Sequence, residues 1–295
     1  MLEAAVRRSF LAAANSADDS DLPRAAALLG RLEDPDLDPA PQLGALTRLG
    51  ALLTARLERL GRLATAQEQL DVLNGLLYDE ERFTRDGLRP NDPRSSFLTD
   101  VVVRRTGLPI LLGIVYIDVG RRAGLLLEGI SFPGHFLVRF RPGTRDPDSP
   151  RELIVDPFNR GAVLSEAGCL LLLQSHFGED ARLEEGMLDS VGKRTILIRV
   201  LNNLKRLYVG MRSFPQARAV VDLLVALDPT NAGELRDRGL LSYHMGDFRA
   251  ALRDLETFFR AVRGVAGDGD EARRAEHEQV WEHLKTLRRR VASLN

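Results

Sequence analysis

Apolar residues recur at helical spacing over the first quarter of the chain, most regularly in LGALTRLGALLTARLERLGRLA, where Leu43, Leu46, Leu49, Leu52 and Leu53 form one predicted stripe. Several helices are therefore expected between Leu2 and about Tyr78. DPDLDPAP (Asp34–Pro41) interrupts them with three prolines, and DLP at Asp21–Pro23 reads as the capped start of another helix. After the turn-rich RDGLRPNDP (Arg85–Pro93), Ser95 or Ser96 is expected to cap a helix ending at Gly107. A central helix follows. Pro109 suits its first turn, Leu112, Val115, Tyr116, Val119 and Ala123 share a face, and Gly124 stops it.

Beyond Gly124 the period changes to two and β-forming residues dominate, in LLLEGISF, HFLVRF and ELIVDPF. These predict an antiparallel sheet. RPGTRDPDSP (Arg141–Pro150) between the last two strands is a surface loop by composition. Symmetric closure of that hairpin sets Phe140 opposite Arg151 and His135 opposite Asp156. From about Ile196 the pattern is helical again and repeats with a shift of 34 residues, Phe214 mapping on Phe248 and Ala217 on Ala251. The first unit carries Leu201, Leu204, Tyr208 and Pro229; the second carries Leu235, Gly239 and Gly246. This spacing resembles the tetratricopeptide repeat, in which small residues let antiparallel helices pack closely. The second unit departs from it in having Tyr243 one position off and no terminal proline. A last helix, Glu271–Leu294, with Val280, Trp281, Leu284, Leu287 and Val291, is placed to cap the array.

With 295 residues, two domains are expected, residues 1–190 and 191–295. A hydrophobic content of 44% and a charged content of 28% describe a folded chain without extended disorder. The net charge of -1 supplies no field that would select nucleic acid or anionic lipid, and Arg288–Arg290 reads as a solvated helix face. LPILLGIVYI is about half of a membrane span, and the N-terminus lacks the apolar core of a signal peptide. The single cysteine, Cys169, excludes an internal disulfide framework, so a cytoplasmic location is expected.

An imidazole oriented by a carboxylate on the next strand is two thirds of a Cys-His-Asp arrangement, and His135 with Asp156 fits that pattern. A thiol would complete it at the N-terminus of a buried helix, and the helix beginning near Pro109 is that element. The segment RRTGLPILLGIVYIDVGRRAGLLLEGISFPGHFLVRF, followed by LIVDPFNRGAVL, resembles the transglutaminase-like domain of the SirB family, bacterial proteins that join such a domain to tetratricopeptide repeats. The likeness runs over about Leu22–Phe259 and implies an α+β fold: a papain/transglutaminase-like core, its central helix packed on an antiparallel sheet, with a helical N-terminal extension and an all-α array after it. It also implies that His135 and Asp156 match the family's strand histidine and next-strand aspartate. The nucleophile is missing. Ile110 to Gly113 hold no thiol or hydroxyl, and Leu111 stands where the resemblance places the cysteine, a position that many members of the subfamily fill with a small hydroxyl residue.

Cys169, among the leucines of EAGCLLLLQSHF, is expected to be buried and inert. Ser95, Ser96 and Thr106 are explained by capping or turns. His176, His244, His277 and His283 show no metal-ligand spacing, and Gly107, Gly113, Gly120 and Gly124 do not form a phosphate loop, so neither metal nor cofactor is implied. For His135 and Asp156 three roles stay open: a buried pair fixing the hairpin, a retained binding pocket, or active catalysis. The expected function is a non-catalytic adaptor or regulator that binds a protein or peptide through the repeats and the degenerate cleft, with Arg104, Arg105, Arg121 and Arg122 lining that surface. The alternative is a cysteine-hydrolase or acyl-transfer enzyme acting on amide bonds with an unrecognised nucleophile. In a third reading, all binding lies in the repeats.

Overall fold

A computed structural model describes residues 4–61, 64–85, 92–143, 151–262, 281 and 284–289. The chain divides into two compact units, residues 2–200 and 201–295, the division falling inside helix α8 (Lys193–Gly210).

The first unit opens with helices α1 (Ala4–Asn15), α2 (Leu22–Leu28), α3 (Ala40–Leu60) and α4 (Ala66–Asn74). In α3, Leu46, Leu49 and Leu53 are buried, but Leu52 is 48% exposed. The buried stripe runs through Leu46, Leu49, Gly50 and Leu53, and Leu52, about 100° round from Leu53, falls outside it. A capping box, Thr65 with Glu68, starts α4. One wider turn, Gly75–Glu80, extends it and carries the buried Tyr78.

The expected serine cap is not what forms before Gly107. Asp92 caps a short turn, Pro93–Ser96, in which both serines are buried. Helix α5 (Leu98–Arg104) then starts from Phe97 without a side-chain cap and ends at the left-handed Arg105. Thr84–Arg85 (β1) and Thr106–Gly107 (β2) pair in parallel as a minor sheet that the alternation pattern did not predict.

Helix α6 (Pro109–Arg122) runs as expected from Pro109, and every residue from Ile110 to Gly120 is buried. It packs on α3 and on a five-stranded antiparallel sheet: β3 (Leu126–Ile130), β4 (Leu137–Arg141), β5 (Leu153–Asp156), β6 (Ala162–Leu164) and β7 (Ser190–Val191), in the order β6-β5-β4-β3-β7. Two glycines set the depth of this contact. A Cβ at Gly113 would lie 2.3 Å from Phe136, and one at Gly120 would lie 2.2 Å from Leu127. Strands β6 and β7, only three and two residues long, are too short for alternation to reveal. On the other face, helix α7 (Glu166–Phe177) buries Cys169 and Leu173 in a cluster with Ile130, Phe132 and Leu137.

In the second unit, α8 is followed by α9 (Phe214–Leu227), α10 (Ala232–His244) and α11 (Phe248–Val262). Leu201, Leu204, Tyr208, Ala217 and Ala251 are buried as the repeat pattern requires. A Cβ on Gly239 would meet Leu255 at 2.8 Å, which is why a small residue stands where α10 crosses α11. Tyr243, one position off the repeat, still packs edge-on to Phe248 with ring centroids 5.9 Å apart. Trp281, Leu284 and Leu287 of the expected last helix pack on Leu255 and Phe258. The rest of Glu271–Leu294, with His277 and His283, lies outside the described residues.

Candidate functional site

Phe132-Pro133-Gly134-His135 forms a tight turn closed by the His135 N–H on the Phe132 carbonyl (3.1 Å), with Gly134 at φ +70°. Proline then glycine at the two central positions is the chemistry of a type II turn. His135 therefore sits in a bend ahead of β4 and not within a strand. The expected register is also shifted: Phe140 pairs with Leu153, not Arg151, and Val138 pairs with Val155. Asp156 is consequently two residues away from the position opposite His135. Because the shift is an even number, both side chains keep the same face and meet diagonally.

His135 Nε2 lies 2.8 Å from Asp156 Oδ1, with the two residues 5% and 4% exposed. Asp156 ends β5 and caps the next turn, its Oδ1 also accepting from the N–H groups of Phe158 (3.0 Å) and Asn159 (3.3 Å). Oδ1 is thus a preorganised acceptor. A neutral His135 satisfies it with the proton on Nε2, leaving the basic lone pair on Nδ1. The ring is enclosed by Phe158, edge-on at 5.5 Å, and by His176 of α7, stacked at 6.0 Å.

Three further side chains fix this corner, and none was legible beforehand. Arg199 donates to Ser131 Oγ (3.0 Å) and to the His135 carbonyl. Tyr78 donates to the Pro157 carbonyl (2.7 Å). Asn74 donates to the Gly161 carbonyl (3.2 Å) and accepts from Tyr116 of α6 (3.0 Å), joining the central helix to the Asp156 turn. Their partners are 42 to 87 residues away along the chain, so no local pattern marks them. Burial holds the Tyr78 and Tyr116 hydroxyls well above the usual phenol range, which keeps them neutral donors.

At the start of α6, Leu108 is the N-cap and Ile110, Leu111 and Leu112 are all buried, Leu111 completely. Cys169 is fully buried, and its thiol is pushed up by burial first, then by the carboxylates of Asp156 and Glu166. That is the opposite of thiolate activation. Ser95 and Ser96 are buried in their turn, and Thr106 lies in β2. The four arginines expected to line that surface are each paired with a carboxylate: Arg104 with Asp92, Arg105 with Glu81, Arg121 with Asp19 and Arg122 with Asp118. Among the described residues no group of three or more metal-ligating side chains converges, and no helix is long and apolar enough to cross a membrane.

A buried histidine–aspartate pair on an antiparallel sheet backed by a buried helix, followed by paired helices, defines a transglutaminase-like domain joined to tetratricopeptide repeats. Family models agree: residues 43–202 match the transglutaminase-like superfamily, and residues 204–278 match the tetratricopeptide repeat. The chain belongs to the transglutaminase-like superfamily. It is 33% identical over 248 residues to a UPF0162 protein of Xylella fastidiosa (strain Temecula1 / ATCC 700964), covering 82% of this chain and 85% of the relative. It is 27% identical to Protein SirB1 of Salmonella typhimurium over 71% of this chain and 76% of that one, in keeping with the SirB resemblance. It is also 28% identical to the human F-box only protein 21, over 60% of this chain and 28% of that protein. No solved structure matches the chain.

Proposed function

We propose that this protein is a non-catalytic transglutaminase-like adaptor, cytoplasmic, that binds a protein partner through its repeats and its degenerate cleft. What supports this reading is the first turn of α6: Ile110 to Gly113 hold no thiol or hydroxyl, and Leu111, where the family resemblance puts the nucleophile, is fully buried, while His135 and Asp156 remain paired. The first turn of α6 offers the base no thiol or hydroxyl to deprotonate, so no covalent acyl-transfer step can start from that position. The repeat unit supplies a binding surface. A cavity of about 360 Å³ is lined by Val209, Phe214, Leu240 and Leu241 with Lys205 and Arg206 at its edge, and Phe214 stacks on His244 at 5.0 Å. Lys205 is locked by Glu234 and Asp237 (2.8 Å each), which stiffens that wall. Helical arrays of this kind bind extended or helical segments in such grooves.

The enzyme alternative retains one favourable feature, the basic Nδ1 of His135, which could act on a bound water. Both readings are tested on the full chain. A thiol-directed activity probe and an amide-hydrolysis assay are expected to give no His135-dependent signal. Photocrosslinking from Val209 is expected to capture a discrete protein that crosslinking from the exposed Val103 does not. Turnover abolished by His135→Ala would overturn the adaptor reading in favour of the enzyme.

A further inference from the structure

Helix α7 meets the body of the first unit along one stripe. Cys169 and Leu173, a turn apart, are buried in the cluster with Ile130, Phe132 and Leu137. His176 is the next residue of that stripe, seven positions beyond Cys169 and so only about 20° round the helix from it. It falls past the end of the apolar cluster, over the turn from Phe132 to His135, and it is exposed.

The His176 ring stacks on that of His135, with 6.0 Å between centroids and 26° between planes. A Cβ on Gly134 would come within 2.9 Å of His176 Cγ and 3.1 Å of its Cδ2, so the glycine is what lets the ring settle on the turn. Among the described residues the His176 imidazole makes no hydrogen bond that would pin it. The other ring against His135, Phe158, is half-buried and belongs to the turn that Asp156 caps. Of the two rings that cover the buried His135, only His176 lies exposed on the surface.

We propose that His176 is a gate on His135: while the last turn of α7 is wound the His135 imidazole is shut in, and unwinding of that turn opens its Nδ1 to solvent. The turn is poised for this. Its residues, Gln174 to Phe177, follow the last buried anchor, Leu173. Gln174 reaches onward to the carbonyls of Glu179 (3.0 Å) and Ala181 (3.4 Å), and the helix stops at Gly178, at φ +93°, whose N–H donates to the Gln174 carbonyl (2.9 Å). Helix ends open at lower free energy than the core they leave. Opening here gives up little apolar burial, because Phe177 is already 60% exposed. Asp156 keeps its hold on Nε2, so the uncovered ring presents Nδ1 as the lone-pair nitrogen. Access is governed in this way whether the cleft binds a partner or acts on an amide.

The probe is diethyl pyrocarbonate, which acylates the lone-pair nitrogen of a neutral imidazole, applied to the full chain at neutral pH. Rates are read residue by residue from peptide masses, with the exposed His244 as internal reference. In the parent, His135 is expected to react at least about tenfold more slowly than His244. His176→Ala is expected to speed His135 by about tenfold relative to His244. Gly178→Ala, whose Cβ meets nothing within 4 Å but whose backbone is strained, loosens the end of α7 with His176 in place and is expected to speed His135 several-fold. Hydrogen exchange of the β4 amides is expected to stay unchanged in both variants, which separates an opened turn from a loosened sheet. The gate is overturned if His135 reacts as fast as His244 in the parent, if His176→Ala leaves its rate unchanged, or if β4 exchange rises in step with labelling. A rise in His176→Ala with none in Gly178→Ala would overturn unwinding as the way it opens. Failure of the gate leaves the choice between adaptor and enzyme untouched, because turnover decides that and labelling does not.

Discussion

The close approach of α6 to the sheet is tested by Gly113→Ala, where two effects of opposite sign compete. Alanine in a helix interior is favoured over glycine by about 1 kcal/mol, so helix propensity alone predicts a more stable protein. The structure predicts the reverse. The new Cβ would fall 2.3 Å from Phe136 Cδ1 and 2.5 Å from Cε1, well inside contact distance. The ring cannot retreat, since its Cζ already lies 2.7 Å from where a Cβ on Gly129 would be, and Phe136 is fully buried. Overpacking a closed core costs about 1–3 kcal/mol net of relaxation. Because the chain has two units, a single melting curve would mix them, and Trp281 reports on the other one. Hydrogen exchange of the α6 amides reads the free energy of the correct unit. Their protection is expected to fall by about 1–3 kcal/mol, equivalent to roughly 2–12 °C in a unit of this size. Gly44→Ala is the control, because on α3 its Cβ meets nothing closer than Arg48 at 3.7 Å. It should stabilise by about 0.5–1 kcal/mol. Equal gains at the two glycines would refute the packing argument.

Asp156→Ala leaves His135 Nε2 and the Phe158 and Asn159 amides without their acceptor, and should cost about 2–4 kcal/mol by denaturant titration; Asp156→Asn, which can keep Oδ1 in place, should cost less than half of that. Gly134→Ala combines a left-handed backbone with a Cβ 2.9 Å from His176 Cγ and 3.2 Å from its Cβ, so adding His176→Ala, which removes the ring and keeps the Cβ, should recover part of the steric loss in a double-mutant cycle and leave at least about 1 kcal/mol. Cys169, buried and with its thiol pushed up, should resist a disulfide-exchange reagent at neutral pH and react fully only after unfolding; fast labelling of the native chain would contradict its placement. Asp118 has its carboxyl raised by burial, an effect that Arg122 partly offsets. A carboxyl raised in the folded state binds more protons folded than unfolded, so its contribution declines as pH rises from about 4 towards neutrality. Asp118→Asn should therefore gain stability relative to the parent over that interval, and a flat difference between pH 4 and 7 would count against it.

Much of this architecture was legible in the sequence because it is encoded locally. Pro109 and Gly124 bracket α6, apolar residues run nearly all round its start, and the 34-residue shift announces the helical pairs before any contact is known. The Pro-Gly pair before His135 marks its turn, although the alternation of HFLVRF places His135 in the strand. The residues that would hold a nucleophile could be named, because a helix start is a local feature.

What the tertiary structure alone decided is which distant groups meet. Alternation specifies the face a side chain takes but is blind to a slip of two residues, so the pairing of Phe140 with Leu153 had to come from closure of the whole sheet. Periodicity likewise could not choose between Leu52 and Leu53, a choice made by the surface that α3 meets. Arg199, Tyr78 and Asn74 reach the His135 corner across long stretches of chain, and β7 covers only Gly129 and Ile130 of β3 because the chain turns into α8 at Lys193. Residues near in sequence are constrained by backbone sterics and side-chain period. Those brought together across the chain are constrained only by the packing of the finished core.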